Sequence, residues 1–296
     1  MKSNTLKSDF ILIIAATIWG LAFVAQRIGM EHIGPFTFTG LRFVLGSLAL
    51  LPVIFFSRNS KSRKNNSGLM KPGTIAGIVL FTAISFQQVG LVYTTAGKAG
   101  FITGLYVIFV PMLAVLFKQG RTNTATWIGA ILACIGMYLL SVNKNMTINK
   151  GDILVLFSGI FFAFHLIIIE RMTKRFNTAW LSLFQSVVCA LLSLAVAAIF
   201  ESFIIEDILK VSIPLIYGGV FSVGIAYSLQ IYGQKNSPAS HAAIILSLES
   251  LVAAIGGWII LNEILSGRGI FGCALMLTGM LISQLFTKRA LKIQQL

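Results

Sequence analysis

The stretch SHAAIILSLESLVAAIGGWIIL, residues 240–261, places one carboxylate, Glu249, in the middle of an otherwise uncharged and mostly apolar run. A run of about 20 apolar residues is long enough to cross the hydrocarbon core of a bilayer as a helix. A charge at the centre of such a helix costs about 2.5–3.5 kcal/mol on insertion scales. The stretch therefore predicts a spanning helix whose acid faces a cavity, a partner or a proton.

The rest of the chain repeats this apolar pattern. Of its 296 residues 56% are hydrophobic and 11% charged, and the mean hydropathy of +0.88 excludes a water-soluble globule. The breaks between apolar runs are short, and the longest, residues 57–73, is a basic loop, so we expect one all-α integral membrane domain. The ten predicted spans are Phe10–Met30, Phe36–Phe56, Thr74–Tyr93, Ala99–Phe117, Thr126–Val142, Ile153–Ile169, Trp180–Phe200, Ile213–Tyr232, Ser240–Leu261 and Ile270–Phe286.

The formal net charge of +14 is explained by membrane topology. With a cytoplasmic N-terminus, ten spans place 16 of the 23 Lys and Arg residues inside and 6 outside, as the positive-inside rule requires. We therefore expect a multi-pass protein of the plasma membrane with both termini in the cytoplasm. Anionic lipid headgroups are sufficient partners for the basic loops, and no nucleic acid is expected.

Other kinds of chemistry find little support in the sequence. Cys134, Cys189 and Cys273 fall within predicted spans without metal-ligand spacing, so we expect no disulfide and no metal site. The sequence has no HExxH, GxSxG, paired membrane aspartates or Gly-rich phosphate loop. This argues against an intramembrane enzyme, and no cofactor is expected. Energy would come from ion or substrate gradients.

An internal repeat underlies the ten spans. An offset of 143 residues aligns Asp9 with Asp152 and Gln87 with Gln230, and it brings all five span pairs into register without gaps. Residues 9–142 and 152–287 thus form two five-span repeats. Because five is odd, the second repeat enters the membrane from the opposite side. Such inverted repeats support alternating access to a site near the bilayer midplane, where the halves meet.

Four stretches resemble the EamA family of the drug/metabolite transporter superfamily. They are AATIWGLAFVAQR (15–27), GLRFVLGSLALLP (40–52), GLVYTTAGKAGFITGLYVIFVPMLAVL (90–116) and SPASHAAIILSLESLVAAIGGWIILNE (237–263). The resemblance runs from Asp9 to Phe286. It implies a ten-helix transporter of small metabolites or drugs, often an exporter, and no particular substrate.

The sequence departs from the family at two places. The acid that commonly closes the fourth span is missing, since Gly120 and Arg121 stand there, whereas its second-half counterpart is present as Glu263. The proline that often follows the middle of the ninth helix is replaced by Ser250.

Glu249 is the principal candidate for substrate binding and charge coupling. A carboxylate at that depth could accept a proton or pair with a substrate ammonium; the alternative is a structural acid that joins two helices. The repeat maps Glu249 onto Tyr106, and Thr103 lies on the same face of the fourth span as Tyr106. An acid and a phenol facing each other would suit one polar solute, although a buried tyrosine with a satisfied hydroxyl is an equal alternative.

Five further polar or aromatic residues are candidates for the cavity wall. Amides within a bilayer must find partners, so they either join helices or face a cavity. Trp19 lies deep in the first span, where it could either line a cavity or pack between helices. His165 is a lone histidine without a second ligand, so it is weak evidence for a metal site; it could form a structural hydrogen bond or contact a substrate or proton. The candidates are Trp19, Gln87, His165, Tyr227 and Gln230.

The two intramembrane or near-membrane cations differ. Arg42 lies about two turns inside the second span, where gating or contact with an anion competes with snorkelling or a structural ion pair. Lys98 opens the fourth span, and we expect it to be solvated. The pairs Gly73/Gly77 and Gly100/Gly104 have small-xxx-small spacing, which favours close helix packing.

These features predict a secondary transporter with a midplane cavity. Its solute would be an amino acid, another metabolite or an organic cation, with protons as the possible coupling ion. A lipid or headgroup flippase and a passive channel of the same fold stay open as alternatives. A lateral opening with a basic headgroup site would indicate the flippase, and gradient-driven accumulation would exclude the channel.

Overall fold

A computed structural model describes residues 2–57, 68–116, 124–141 and 149–293 of the chain. The basic loop 58–67, Gly120 with Arg121, and the predicted span ends Phe117 and Val142 lie outside these ranges. Every regular element in the described residues is a helix. The prediction of an all-helical protein is confirmed.

The described residues form fourteen α-helices and one π-helical segment, residues 217–226, which joins α10 to α11. The α-helices, in chain order, are α1 Lys2–Gly29, α2 Pro35–Ser57, α3 Met70–Tyr93, α4 Ala96–Thr103, α5 Tyr106–Leu116, α6 Thr124–Ser141, α7 Lys150–Thr173, α8 Thr178–Phe200, α9 Ile205–Lys210, α10 Ser212–Ile216, α11 Tyr227–Gln234, α12 Ala239–Leu246, α13 Glu249–Leu261 and α14 Gly267–Ile293.

Eight helical stretches of the described chain are long and apolar enough to cross a membrane. They coincide with the predicted spans one to four and six to nine. Two shorter apolar helices, Trp127–Leu140 and Gly267–Ile282, stand where the fifth and tenth spans were predicted. The helices also expose large apolar side chains, including Phe200 and Trp258 at 77% and 65% of their surface. Such a surface suits lipid rather than water.

The predicted fourth and ninth spans are each interrupted near their middle. The fourth breaks at Gly104 and Leu105, between α4 and α5, and the ninth breaks at Ser247 and Leu248, between α12 and α13. The two breaks lie 143 positions apart in sequence. The same offset separates both ends of α2 from those of α8, and both ends of α4 from those of α12. At each break the backbone stays in the right-handed helical region, and i→i+3 bonds appear, such as Leu105 N to Ile102 O and Leu248 N to Ile245 O. Each span therefore continues across the membrane with one tightened turn at its centre.

The interrupted spans cross each other at the breaks. A Cβ atom on Gly100 would lie 2.6 Å from the Cβ of Ala253, and one on Gly104 would lie 2.5 Å from the Ser250 hydroxyl. Ser250 donates a hydrogen bond of 2.9 Å to the Gly100 carbonyl. The glycine pair thus permits the close approach, and Ser250 ties the two spans together.

Carboxylates cap the N-termini of three helices from elsewhere in the chain. Glu263 accepts hydrogen bonds from the Ala96 and Gly97 amides of α4, at 2.8 and 3.0 Å, and Glu201 caps α2 in the same way. Glu170 of α7 accepts from the Ala239 amide of α12 at 3.0 Å. The two equivalent helices α4 and α12 are thus both capped, α4 by an acid of the segment between α13 and α14 and α12 by an acid of α7. This satisfies backbone donors that lipid could not.

Glycines also set the spacing of α6 and α14. A Cβ atom on Gly136 would lie 2.5 Å from the Gly272 carbonyl, whereas one on Gly267 would meet open space. We expect Gly136→Ala to destabilise the protein by about 1–3 kcal/mol, because the helices must separate. Thermal unfolding in detergent would measure this, with Gly267→Ala as the control. Equal stability of the two variants would contradict the close α6–α14 approach.

Candidate functional site

A single group of side chains encloses a cavity where α1, α2, α3, α7 and the π-helical segment meet the two interrupted spans. The space among them, including the part open to solvent, measures about 500 Å³. The lining residues are Trp19, Ala22, Phe23, Gln26, Arg42, Ile84, Gln87, Thr103, Tyr106, Phe162, His165, Leu166, Ser222, Tyr227, Gln230, Leu246 and Glu249.

All nine residues singled out from the sequence lie in this wall. They come from seven of the predicted spans, so the fold gathers them from distant parts of the chain. Their presence around one cavity is a structural finding; their contact with a solute stays a prediction. The nine are Trp19, Arg42, Gln87, Thr103, Tyr106, His165, Tyr227, Gln230 and Glu249.

Glu249 and Tyr106 occupy equivalent places at the helix breaks. Glu249 is the first residue of α13 and Tyr106 is the first residue of α5. Both are almost fully buried, with 4% of the residue surface exposed. The Tyr106 hydroxyl faces the Glu249 carboxylate, outside the limits of a regular hydrogen bond. A polar side chain thus follows each break, about halfway along its span, and lines the cavity.

Arg42 brings a positive charge into the same cavity. It is only 1% exposed, and its guanidinium carbon lies 5.6 Å from the ring centres of both Phe38 and Phe43. Its Nε and Nη2 atoms have no hydrogen-bond partner among the described residues. Gly218 of the π-helical segment leaves room for the side chain, since a Cβ there would lie 3.2 Å from Arg42 Cδ. Snorkelling is therefore wrong for this conformation.

Tyr227 lies near both Arg42 and Glu249. Its hydroxyl is within electrostatic reach of both Arg42 and Glu249. Its ring meets Trp19 edge-on at 4.7 Å between centroids, and Trp19 Nε1 donates a hydrogen bond of 3.2 Å to the Ser222 carbonyl. The four ion pairs of the described residues do not include Arg42 or Glu249, so the two charges are not paired with each other.

The two amides predicted for the wall are both anchored to protein. Gln87 donates a hydrogen bond of 3.2 Å to the Thr103 hydroxyl. Gln230 donates to Gln234 at 2.8 Å, and Gln234 in turn donates to the Leu166 carbonyl at 3.2 Å. Gln87 therefore joins α3 to α4 and faces the cavity at once, so its two interpretations are not exclusive. Gln230 faces the cavity and bonds within α11, and it is linked to α7 only through Gln234.

His165 has one ring nitrogen engaged with its surroundings. Its Nε2 lies 2.9 Å from Oε1 of Gln185, and its ring meets that of Tyr227 edge-on at 6.3 Å. Gln185 stands 143 positions after Arg42, so the second half has an amide where the first half has the cavity cation. The hydrogen bond fixes the ring against the wall, which agrees with the structural interpretation of this histidine.

Several polar atoms of the wall have no protein partner in the described part of the chain. Buried polar groups are nearly always hydrogen-bonded in native proteins, so these atoms require water or a solute. They comprise both donors and acceptors, and a polar solute could meet them together. The atoms are Gln26 Oε1, Arg42 Nε and Nη2, Tyr106 Oη and Gln230 Oε1.

Sequence reasoning missed some of the wall and misplaced one cation. Gln26 lines the cavity, and it could have been found because it lies two turns after Trp19 on the same face of α1. Ser222 gave no such signal, since the π-helical segment changes the residue spacing. Lys98 was expected to be solvated, but its side chain is only 19% exposed and lies 3.6 Å from Asp152.

The amino-acid sequence matches the model of the EamA-like transporter family twice, over residues 6–142 and 149–285. The described residues also contain no group of three or more His, Cys, Asp or Glu side chains that could hold a metal ion. The double match places one family unit in each half of the chain.

Relatives of similar length extend this match. An uncharacterized transporter of Archaeoglobus fulgidus is 33% identical over 280 residues, covering 95% of this chain and 86% of that protein. The uncharacterized transporter YwfM of Bacillus subtilis is 30% identical over 297 residues, covering 95% and 94%. A solved crystal structure superposes with a TM-score of 0.73 at 17% identity, covering 96% of this chain and 98% of that chain, which shows the shared fold alone. The chain is thus a membrane protein that belongs to the EamA-like transporter family.

Proposed function

We propose that the protein is a secondary transporter that moves small organic solutes by alternating access through the central cavity. The observation that carries the proposal is the position of this cavity, where two interrupted helices meet and present Tyr106 and Glu249. A tightened turn inside a long helix often marks a functional site, and the binding sites of inverted-repeat transporters lie near the bilayer midplane. Export is the direction that family resemblance favours.

We further propose that the chain is a ten-span protein built from two inverted five-helix repeats. The double family match and the 143-residue offset between the bounds of α2 and α8 support this arrangement. Ten spans would place both termini on the cytoplasmic side of the plasma membrane, as the distribution of Lys and Arg favours. In such proteins, exchange of conformation between the two halves opens the site to each face in turn.

The charges of the cavity favour a zwitterionic solute such as an α-amino acid. Arg42 offers a guanidinium to a carboxylate, and Glu249 offers a carboxylate to an ammonium. Each of the two groups is buried without an ion-pair partner among the described residues, and both lie within electrostatic reach of Tyr227. A solute with both charges would compensate the two buried groups at once, whereas a cation or an anion would leave one of them unpaired.

The proposal is tested with purified protein in liposomes. A mixed pool of amino acids, sugars and organic cations is offered first, with and without a pH gradient, and mass spectrometry identifies what enters. A matched series then compares leucine with leucinamide, a cation, and N-acetylleucine, an anion. We expect the zwitterion to be preferred by about tenfold or more, since a hydrogen bond to a charged group contributes about 1.5–3 kcal/mol.

Protein-free liposomes serve as the control for passive leak of leucinamide. Failure to saturate, or to accumulate any solute under a gradient, would instead indicate a channel. Transfer of labelled phospholipid between leaflets, without uptake of any solute, would indicate the flippase.

A further inference from the structure

Two contacts between an acidic and a basic side chain occupy equivalent positions of the two repeats and, in the ten-span topology proposed above, opposite ends of the bundle. Asp152, in the first turn of α7, faces Lys98 in α4, and Asp9, in α1, faces His241 in α12. Asp9 and Asp152 are separated by 143 positions, and so are Lys98 and His241. Each pair therefore joins a helix of one half to a helix of the other half.

The contact between Asp152 and Lys98 is the more enclosed one. The Asp152 side chain is 0% exposed, and its Oδ2 lies 3.6 Å from Lys98 Nζ. Its Oδ1 accepts a hydrogen bond from the Thr94 hydroxyl, at the end of α3. The start of α7 packs directly on α3, since a Cβ on Gly90 would lie 2.9 Å from the Gly151 carbonyl. The Asp152 carboxylate thus has a partner for each oxygen, a hydrogen bond to Oδ1 and the Lys98 ammonium near Oδ2, although Oδ2 accepts no hydrogen bond in the described residues.

The contact between Asp9 and His241 is less complete. The Asp9 Oδ1 and His241 Nε2 atoms lie 2.7 Å apart, but the Asp9 side chain is 27% exposed. Ser237 is the equivalent of Thr94, 143 positions later, and its hydroxyl is buried without a partner among the described residues. The helix packing itself is alike at the two ends, since a Cβ on Gly233 would lie 2.8 Å from Leu12 Cγ and one on its equivalent Gly90 2.7 Å from Val155 Cγ2, so the difference lies in the polar contacts.

We propose that these two contacts are the gates of the transporter. Asp152 with Lys98 and Thr94 closes the extracellular end, and Asp9 with His241 and Ser237 closes the cytoplasmic end. This inference rests on the alternating-access transport proposed above. The gate proposal also explains the unpartnered Ser237 hydroxyl. When the cytoplasmic end closes fully, this hydroxyl would donate a hydrogen bond to Asp9, just as Thr94 donates one to Asp152 in the present structure. The present conformation is closed outside and partly closed inside.

The test uses a reporter cysteine in the cavity wall. Ser222→Cys is made in a background without Cys134, Cys189 and Cys273. Its reaction with a membrane-impermeant methanethiosulfonate cation is followed in right-side-out and in inside-out vesicles. Native transport of the matched solutes is measured in parallel, so that failure of transport and failure of the gates are separate results.

Each gate variant has its own expected result. Asp9→Ala should raise labelling from the cytoplasmic face by about twofold to fivefold, a small effect because the pair is partly exposed. Lys98→Gln should raise labelling from the extracellular face by on the order of tenfold, because it leaves the buried Asp152 carboxylate unpaired. The Lys98 variant replaces a direct change at Asp152, which could prevent folding.

Ser237→Ala provides the sharpest comparison. A purely structural serine without a partner would have no effect when changed, whereas the gate proposal requires faster labelling from the cytoplasmic face alone. Lys210→Gln is the matched control, because it breaks the exposed pair with Asp207 at 2.7 Å within α9. Unchanged labelling in the gate variants, or equal change at both faces, would overturn the gates. A native protein that neither transports nor labels from either face would overturn the transport proposal itself.

Discussion

Replacing Arg42 with methionine is expected to lower the transport of a zwitterion by about tenfold to a hundredfold, because a hydrogen bond to a charged group contributes about 1.5–3 kcal/mol. The stability of the protein should stay the same or increase. Two of the guanidinium nitrogens have no partner in the described structure, and the side chain is buried. An apolar side chain of similar length removes an uncompensated charge and keeps its packing between Phe38 and Phe43.

The solute series makes this prediction specific. Arg42→Met should transport leucinamide at least as well as the native protein does, since that solute has no carboxylate for the missing guanidinium. Initial uptake rates and thermal unfolding in detergent are measured on the same preparations. Lys210→Gln serves again as the control, because it removes a cation far from the cavity on the exposed helix α9. A clear loss of stability, with proportional loss of all solutes, would assign Arg42 a structural role.

The sequence predicted the spans and the members of the site better than it predicted their contacts. Apolar length is a direct consequence of bilayer thickness, so eight spans were recognisable from composition alone. The cost of burying a polar group made Glu249, Arg42 and Gln230 conspicuous within those spans. The repeat then related Glu249 to Tyr106, and both lie at the helix breaks.

The helix breaks themselves could not be predicted. Ser247 and Leu248 are compatible with a continuous helix, and the interruption depends on the crossing partner at Gly100 and Gly104. The prediction that Lys98 is solvated was wrong for a similar reason, because its neighbour Asp152 comes from the other half of the chain. Local sequence predicts local structure, whereas these features are contacts between halves that the repeat brings together.

Replacing Glu249 with glutamine is expected to lower zwitterion transport by a factor similar to that for Arg42→Met, on the order of tenfold to a hundredfold. It should also abolish any dependence of uptake on the pH gradient, because glutamine cannot exchange a proton. The fold should persist, since glutamine has nearly the same shape and can still meet the Tyr106 hydroxyl. Uptake rates at several external pH values, with and without a gradient, measure both effects.

Removing Arg42 and removing Glu249 should shift the solute preference in opposite directions. Glu249→Gln removes the partner of the ammonium and leaves Arg42, so N-acetylleucine should gain relative to leucine, whereas Arg42→Met should favour leucinamide. Glu249→Asp keeps the charge and should recover part of the pH dependence, and Glu206→Gln, on the exposed helix α9, should change nothing. If Glu249 is instead a structural acid, Glu249→Gln should lower the transport of all three solutes together, and it should lower the melting temperature as well. If Glu249→Gln transports like the native protein at every pH, the coupling group must be sought elsewhere among the ionisable side chains of the wall, Arg42, Tyr106, His165 and Tyr227.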